Sequence, residues 1–285
     1  MEKHFVLKTS QFKKNQRKIF LLKTLLGIFL VALIVGILSF ITHSSVLAIS
    51  KVSVSGNAVL SSEEIIQIAT DNLSGNYLWI FPKNNFVIYP RGEIYRELIS
   101  KFQRIESIAI STQDMNILEI RIKERKPFGE WCGTDGQIEL SSGDSNCYLL
   151  DENGFIFDNA PQFSGNAYVR FYGGISGDPI GQNFLNIKSF KQINDFAVNI
   201  HNVGLPVIAF SSSDNGDYQF YLNKDSNTKP EVVGKITFDA KQDYDKAFVD
   251  LESVLNDSKT GLMGKDGRYN FQYIDLRYGD KVFYK

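Results

Sequence analysis

Histidine, cysteine and proline are all scarce in this 285-residue chain, which has three His, two Cys and seven Pro. One histidine, His4, lies in the basic arm at the start, which leaves His43 and His201, too few for a His-based zinc site. Few prolines beside 22 Phe and 13 Tyr favour strand-rich folding. No segment is of low complexity, and no repeat occurs at a solenoid or propeller period. Asp151, Asn153 and Asp158 lack the ligand run and terminal Glu of a calcium loop, so they read as turn residues. Gly173, Gly174 and Gly177 lack the strand–glycine–helix setting of a phosphate loop, and Asp243 with Asp245 reads as a solvated helix face. No cofactor or metal is expected.

What the chain does have is one uncharged apolar run, residues 25–41, preceded by Lys3, Lys8, Lys13, Lys14, Arg17, Lys18 and Lys23 with a single acid, Glu2. Extended back through Ile19 and Phe20, it gives about 22 helical residues, enough to cross a ~30 Å hydrocarbon core at ~1.5 Å per residue. Lys23, one turn inside, can carry its ammonium back to the headgroups. The positive arm is expected on the cytoplasmic side, so everything after His43 lies outside. Val46 and Ala48 form a pair a signal peptidase would accept, but the run exceeds the ~7–15 apolar residues of a signal peptide, and a retained anchor is expected. Ala32 and Gly36 stand at a spacing that would permit close pairing with another transmembrane helix.

The arm through Lys23 takes seven basic residues and one acid from totals of 31 and 32, leaving 24 against 31, or −7. An acidic outer part argues against a polyanion partner, and no nucleic acid is expected.

The pattern after the anchor is α+β. Val52 and Val54 alternate with polar residues up to a Gly56-Asn57 turn, and Ser61 and Ser62 before Glu63 and Glu64 read as a helix start. Ile65, Ile66, Ile68, Ala69 and Leu73 form its apolar face, with Gly75 closing it. A loop through Trp79, Phe81 and Pro82 leads to a second helix from near Gly92, with Ile94, Tyr95, Leu98, Ile99 and Phe102 at helical spacing. Two strands follow, one on Ile105, Ile108 and Ile110, the other on Ile117 or Leu118 with Ile120 and Ile122, joined by a turn at Asp114-Met115-Asn116. The order is strand, helix, helix, strand, strand.

From Phe128 onward strands dominate, with a hairpin around Asp151-Glu152-Asn153-Gly154 and two helices, one marked by Ile187, Phe190, Ile193, Ala197 and Ile200, the other by Tyr244, Phe248, Leu251 and Leu255. A mostly antiparallel sheet is expected, closing on a strand from Tyr269 to Tyr278, a Gly279-Asp280 turn and a last strand from Lys281. The expected division is a cytoplasmic arm at 1–18, a transmembrane helix at 19–43, a small αβ domain at 49–127 and a β-domain at 128–285.

Cys132 and Cys147, both on the outer side, flank a Gly-, Ser- and Asp-rich loop of 14 residues and read as a disulfide. By chain entropy, closing such a loop contributes about 3 kcal/mol. The competing reading, a membrane-anchored Cys transpeptidase acting on the cell wall, needs a free thiolate at Cys147 and His201 as its base.

Val52-Ser53-Val54-Ser55-Gly56-Asn57, the helix opening at Ser61, and the strand 118–123 running into Glu124-Arg125-Lys126-Pro127 resemble a POTRA domain of the FtsQ/DivIB type. Gln103-Arg104-Ile105 departs from the Pro-Val that the family often carries before this pair of strands. Leu150-Asp151-Glu152-Asn153-Gly154-Phe155-Ile156-Phe157 is similar to the family's Leu-Val-Asp-x-x-Gly-x-Val-Phe hairpin, and Asp275-Leu276-Arg277-Tyr278 to its closing strand. The resemblance to these bacterial cell-division proteins runs nearly the whole chain in order. It implies a non-enzymatic divisome scaffold at the septum, binding small bitopic partners, FtsB (DivIC) and FtsL. It also implies a partner contact around Asp275, Leu276, Arg277 and Tyr278 and the strand after them, with Val282 and Phe283. A free sheet edge would serve that contact by accepting a partner strand. A POTRA-type chaperone for exported proteins is the other alternative, but it would bring several such modules or an attached barrel.

Overall fold

In a computed structural model the apolar run lies within one uninterrupted helix, α1 (Ser10–Thr42). The structure describes residues 10–134, 147–161, 167–213, 215–223, 232–264 and 269–285. Glu2, Lys3, Lys8 and the loop 135–146 between the cysteines fall outside the described residues. The helix starts earlier than the apolar run requires, so the backbone of Lys13, Lys14, Arg17 and Lys18 is helical too. Its 33 residues reach about 50 Å, more than a ~30 Å hydrocarbon core needs. Within Gln16–Thr42 it carries a long apolar window that no protein covers, which makes it the candidate membrane helix among the described residues.

The chain divides into two units, Met1–Phe102 with Ser107–Glu124, and Gln103–Glu106 with Arg125–Lys285. After a single 3-10 turn at Ser45–Leu47, the first unit runs β1 (Lys51–Ser55), α2 (Ser62–Leu73), β2 (Asn76–Tyr77), β3 (Phe81–Pro82), α3 (Arg91–Lys101), β4 (Ile105–Gln113) and β5 (Ile117–Glu124). The sheet order is β1-β5-β4, with β1 parallel to β5 and Val52 and Val54 opposite Leu118 and Ile120. Leu118, Ile120 and Ile122 are buried, so Leu118 rather than Ile117 carries the alternation to the core face. Ile65, Ile68, Ala69 and Leu73 of α2 and Ile94 and Leu98 of α3 complete the buried set. Tyr95 turns to solvent, since an apolar body with a polar tip is equally at home outside.

Four local devices explain why this sequence folds so. Gly56 sits at φ +82°, where a Cβ would lie 2.2 Å from the Ile122 carbonyl oxygen. Ser61 caps α2 by accepting the Glu64 N–H. The Glu124 carboxylate accepts the backbone N–H groups of Ala58, Val59 and Leu60 at 2.7, 3.0 and 3.0 Å, fixing the β1–α2 loop to the end of β5. The Asp114-Met115 turn has both residues at positive φ, 51° and 61°, the twist a two-residue hairpin loop requires.

The second unit contains β6 (Gly129–Trp131), β7 (Tyr148–Leu150), β8 (Ile156–Asn159), β9 (Val169–Tyr172), α4 (Ile187–Asn202), β10 (Val207–Ser212), β11 (Asp217–Asn223), β12 (Val232–Asp239), α5 (Tyr244–Asn256), β13 (Tyr273–Tyr278) and β14 (Lys281–Tyr284). They form a nine-stranded sheet in the order β14-β13-β12-β11-β10-β9-β6-β7-β8. Antiparallel neighbours predominate, but β9–β10, β12–β13 and β6–β9 are parallel. The first two parallel pairs are the crossovers through α4 and α5, because a helix inserted between neighbouring strands returns the chain in the same direction.

The core under these helices is aromatic. Phe220 and Phe238 stand 4.8 Å apart, Phe196 meets Phe238 edge-on at 5.1 Å, and Tyr244 stacks on Phe196. On α4 the buried face is Phe190, Ile193, Phe196 and Ile200, and Ile187 is exposed at the first turn. Asp243 and Asp245 are both exposed, and Asp243 is also the N-cap of α5, accepting from the Asp245 and Lys246 N–H groups. Arg125 donates to Asp151 at 2.6 Å and lies over the Phe155 ring, while Asp151 also accepts the Asn153 and Phe155 N–H groups. The neighbouring Glu124 and Arg125 of the Glu-Arg-x-Pro motif are therefore each engaged in fixing a loop of their own unit.

Candidate partner-binding edge

Strand β14 is one edge of the nine-stranded sheet. It is joined to β13 by a turn whose Gly279 has φ +64°. The pair is antiparallel, with Ile274 opposite Tyr284 and Asp275 opposite Phe283, and the register shifts between Asp275 and Tyr278. Lys285 and Tyr273 exchange both backbone hydrogen bonds, at 3.1 and 3.3 Å. Alternation along an antiparallel strand then directs the N–H and C=O of Phe283 inward and those of Val282 and Tyr284 toward the free edge. Those outward groups are what an added strand would pair with.

The side chains divide the same way. Ile274 and Leu276 enter the core, and Val282 packs against it from the edge. Phe283 therefore points to the opposite face, where it meets Tyr278 edge-on at 5.1 Å. Tyr278 is 56% and Phe283 49% exposed, and Tyr284 is also exposed. Two large aromatic rings in contact with each other and open to solvent are the kind of anchor that binding surfaces favour.

Arg277 holds this arrangement together. Its Nε and Nη2 donate to the two Asp275 carboxylate oxygens at 2.9 and 2.6 Å, and its Nη1 donates to Asp217 on β11 at 2.8 Å. Asp275 is buried, 9% exposed. Burial alone pushes its carboxyl up, but the Arg277 side chain and backbone N–H together outweigh that and hold it below the usual carboxylate range. The same pairing, with Asp275 first and Asp217 after it, pushes the Arg277 guanidinium up. On the other side of the turn, Lys246 of α5 pairs with Asp280.

Of the six residues the sequence marks for partner contact, the structure thus exposes Tyr278 and Phe283. It buries Asp275 and Leu276, commits Arg277 to two carboxylates and seats Val282 half in the core. Tyr284 belongs to the edge and was missed by sequence reasoning; its place on alternate positions with Val282 was the available signal.

Elsewhere, Ala32 and Gly36 lie exposed on α1, and nothing within 4 Å would meet a Cβ at Gly36. Cys132 and Cys147 are joined by a disulfide with Cα atoms 4.3 Å apart, next to the Trp131–Tyr148 pair of β6 and β7. Neither is then the free thiolate that the transpeptidase reading needs. His201 lines an apolar cavity of about 200 Å³ with Phe128, Val198 and Val207.

Residues 47–125 match the family model described as POTRA domain, FtsQ-type. The strand-helix-helix-strand-strand order of the first unit coincides with that match. This part of the chain is an FtsQ-type POTRA domain. Preceded by one long apolar helix, the POTRA domain supports placing the chain with FtsQ/DivIB-like proteins, a division-related family that is generally non-enzymatic. No curated protein matches the chain. The FtsQ-type match stops at residue 125, so the edge at β14 lies in the sheet that follows the POTRA domain.

Proposed function

We propose that the protein is a non-enzymatic divisome scaffold that holds FtsB/DivIC-like and FtsL-like bitopic proteins at the septum, so that septal wall synthesis is recruited there. Helix α1 anchors it in the cell membrane, with its basic end on the cytoplasmic side as the distribution of Lys and Arg favours. The POTRA domain and the nine-stranded sheet are then extracytoplasmic. An extended segment of the FtsB/DivIC-like partner adds to the sheet beside β14, bonding to the backbone of Val282 and Tyr284 and packing on Tyr278 and Phe283. The observation that carries this reading is the free β14 edge lying beside an exposed aromatic pair.

The reading is tested by capture from the host's envelope proteins, using the ectodomain 44–285 and a form ending at Tyr278. Small coiled-coil bitopic proteins are expected with the first and not with the second. Capture that survives the truncation would move the contact to the POTRA domain. No capture by either form would remove the scaffold reading.

A further inference from the structure

The β2–β3 hairpin carries two of the most exposed apolar side chains outside α1: Leu78 is 81% and Trp79 94% exposed. Asn76 pairs with Pro82 and Tyr77 with Phe81, so Leu78, Trp79 and Ile80 form the tip. Leu78 and Trp79 also have φ of 48° and 59°, a left-handed conformation that costs about 1–2 kcal/mol for each bulky residue. Water gives no return for that strain, because both side chains are left in it. A medium that receives them would.

The hairpin is tied to the end of α1. Ser39 Oγ donates to the Ile80 carbonyl at 3.0 Å, and Asn85 Nδ2 donates to the Thr42 carbonyl at 3.1 Å. Below these, the Ile49 N–H bonds to Asn84 and the Phe86 N–H to Leu47, so the chain leaving the helix is stitched to the chain leaving the hairpin. Ser39 lies three residues inside the last residue of α1, about 4.5 Å along its axis. The tip therefore stands beside the final turn of the apolar helix, where Phe40 is exposed as well. Lys83, at the base of the hairpin, lies over the Tyr77 ring and places a cation close to the tip.

We infer that the hairpin is a membrane wedge: Leu78 and Trp79 enter the headgroup–acyl boundary of the bilayer that α1 crosses. The inference rests on α1 spanning a bilayer. Tryptophan suits that boundary because its ring is apolar and its N–H finds water or headgroup oxygens. Two fixed points, the helix and the wedge, then set the tilt of the POTRA domain on the membrane surface, where a helix alone would leave it free to swivel.

The test uses the full chain with Trp131→Phe, so that Trp79 is the sole tryptophan, reconstituted in phosphatidylcholine–phosphatidylglycerol vesicles. The background comes from Trp79→Ser, whose remaining Trp131 is 7% exposed within the sheet. Trp79 emission is expected to shift to the blue and to be quenched by lipids brominated near the top of the acyl chain. Lipids brominated near the chain end should quench it less. Water-like, unquenched emission from protein that floats with the vesicles would overturn the wedge while leaving the anchor intact. Failure to float would overturn the anchor and the wedge with it. Shielding of Trp79 that appears only when a bitopic partner is added would make the tip a protein contact and overturn the lipid assignment.

Discussion

Proline at Val282 or Tyr284 is expected to weaken capture of the bitopic partner about 30-fold or more with little change in the fold. Each of these N–H groups points away from β13, so removing it leaves the internal ladder whole. A docked strand loses one bond, and its own carbonyl is left unsatisfied, together about 2 kcal/mol or more. Tyr284→Thr keeps the N–H and should retain most of the binding, which separates the backbone effect from loss of the ring. Titration of the ectodomain with the partner's extracytoplasmic segment reads the difference. Unchanged affinity in both proline variants would mean that the partner does not add a strand at this edge.

Arg277→Met is expected to destabilise the carboxyl-terminal sheet by about 2–4 kcal/mol at pH 7, because it leaves the buried Asp275 without its charge partner. The pH dependence gives this prediction its sign. In the parent protein the Asp275 carboxyl is held below its ordinary 3.8, so its contribution is present above that pH and disappears as pH falls through the lower folded value. In the variant, burial acts without the guanidinium, opposed only by the residue-277 backbone N–H and Lys235, and the folded value rises from its parent level. Lowering the pH then protonates Asp275 and relieves the variant while the parent gains nothing from that site. The stability gap should narrow between pH 7 and pH 4.5 in denaturant titrations. Glu130, which burial raises against the pull of Arg170, strengthens both proteins on acidification and cancels in the difference. A gap of constant size would show that Arg277 acts through packing alone.

Much of the fold was legible because its signals are local. The Ser61 cap, the Gly56 turn and the alternation of β5 are each set by neighbouring residues. Two kinds of information were not local. Parallel pairing of β9 with β10 and of β12 with β13 depends on where α4 and α5 send the chain back, which alternation within a strand does not encode. The stretch 76–82 read as a loop because its strands are two residues each, too short for any period to register.

The candidate site was half legible for a different reason. Asp275 and Arg277 are marked by their charges, yet those charges are spent on each other and on Asp217. Glu124, Arg125 and Asp151, in the other motifs, are likewise committed to holding loops. What faces outward is backbone at Val282 and Tyr284 and the rings of Tyr278 and Phe283, and backbone direction follows from register rather than composition.

Residue-resolved amide hydrogen exchange of the ectodomain 44–285, alone and with the partner's extracytoplasmic segment, tests the central claim most directly. The amides of Val282 and Tyr284 should exchange freely in the isolated protein and slow at least about tenfold in the complex, as donors entering a new ladder do. The Phe283 amide, already directed at β13, should change far less. Free exchange at Val282 and Tyr284 in a saturated complex, with protection arising elsewhere, would contradict strand addition at this edge.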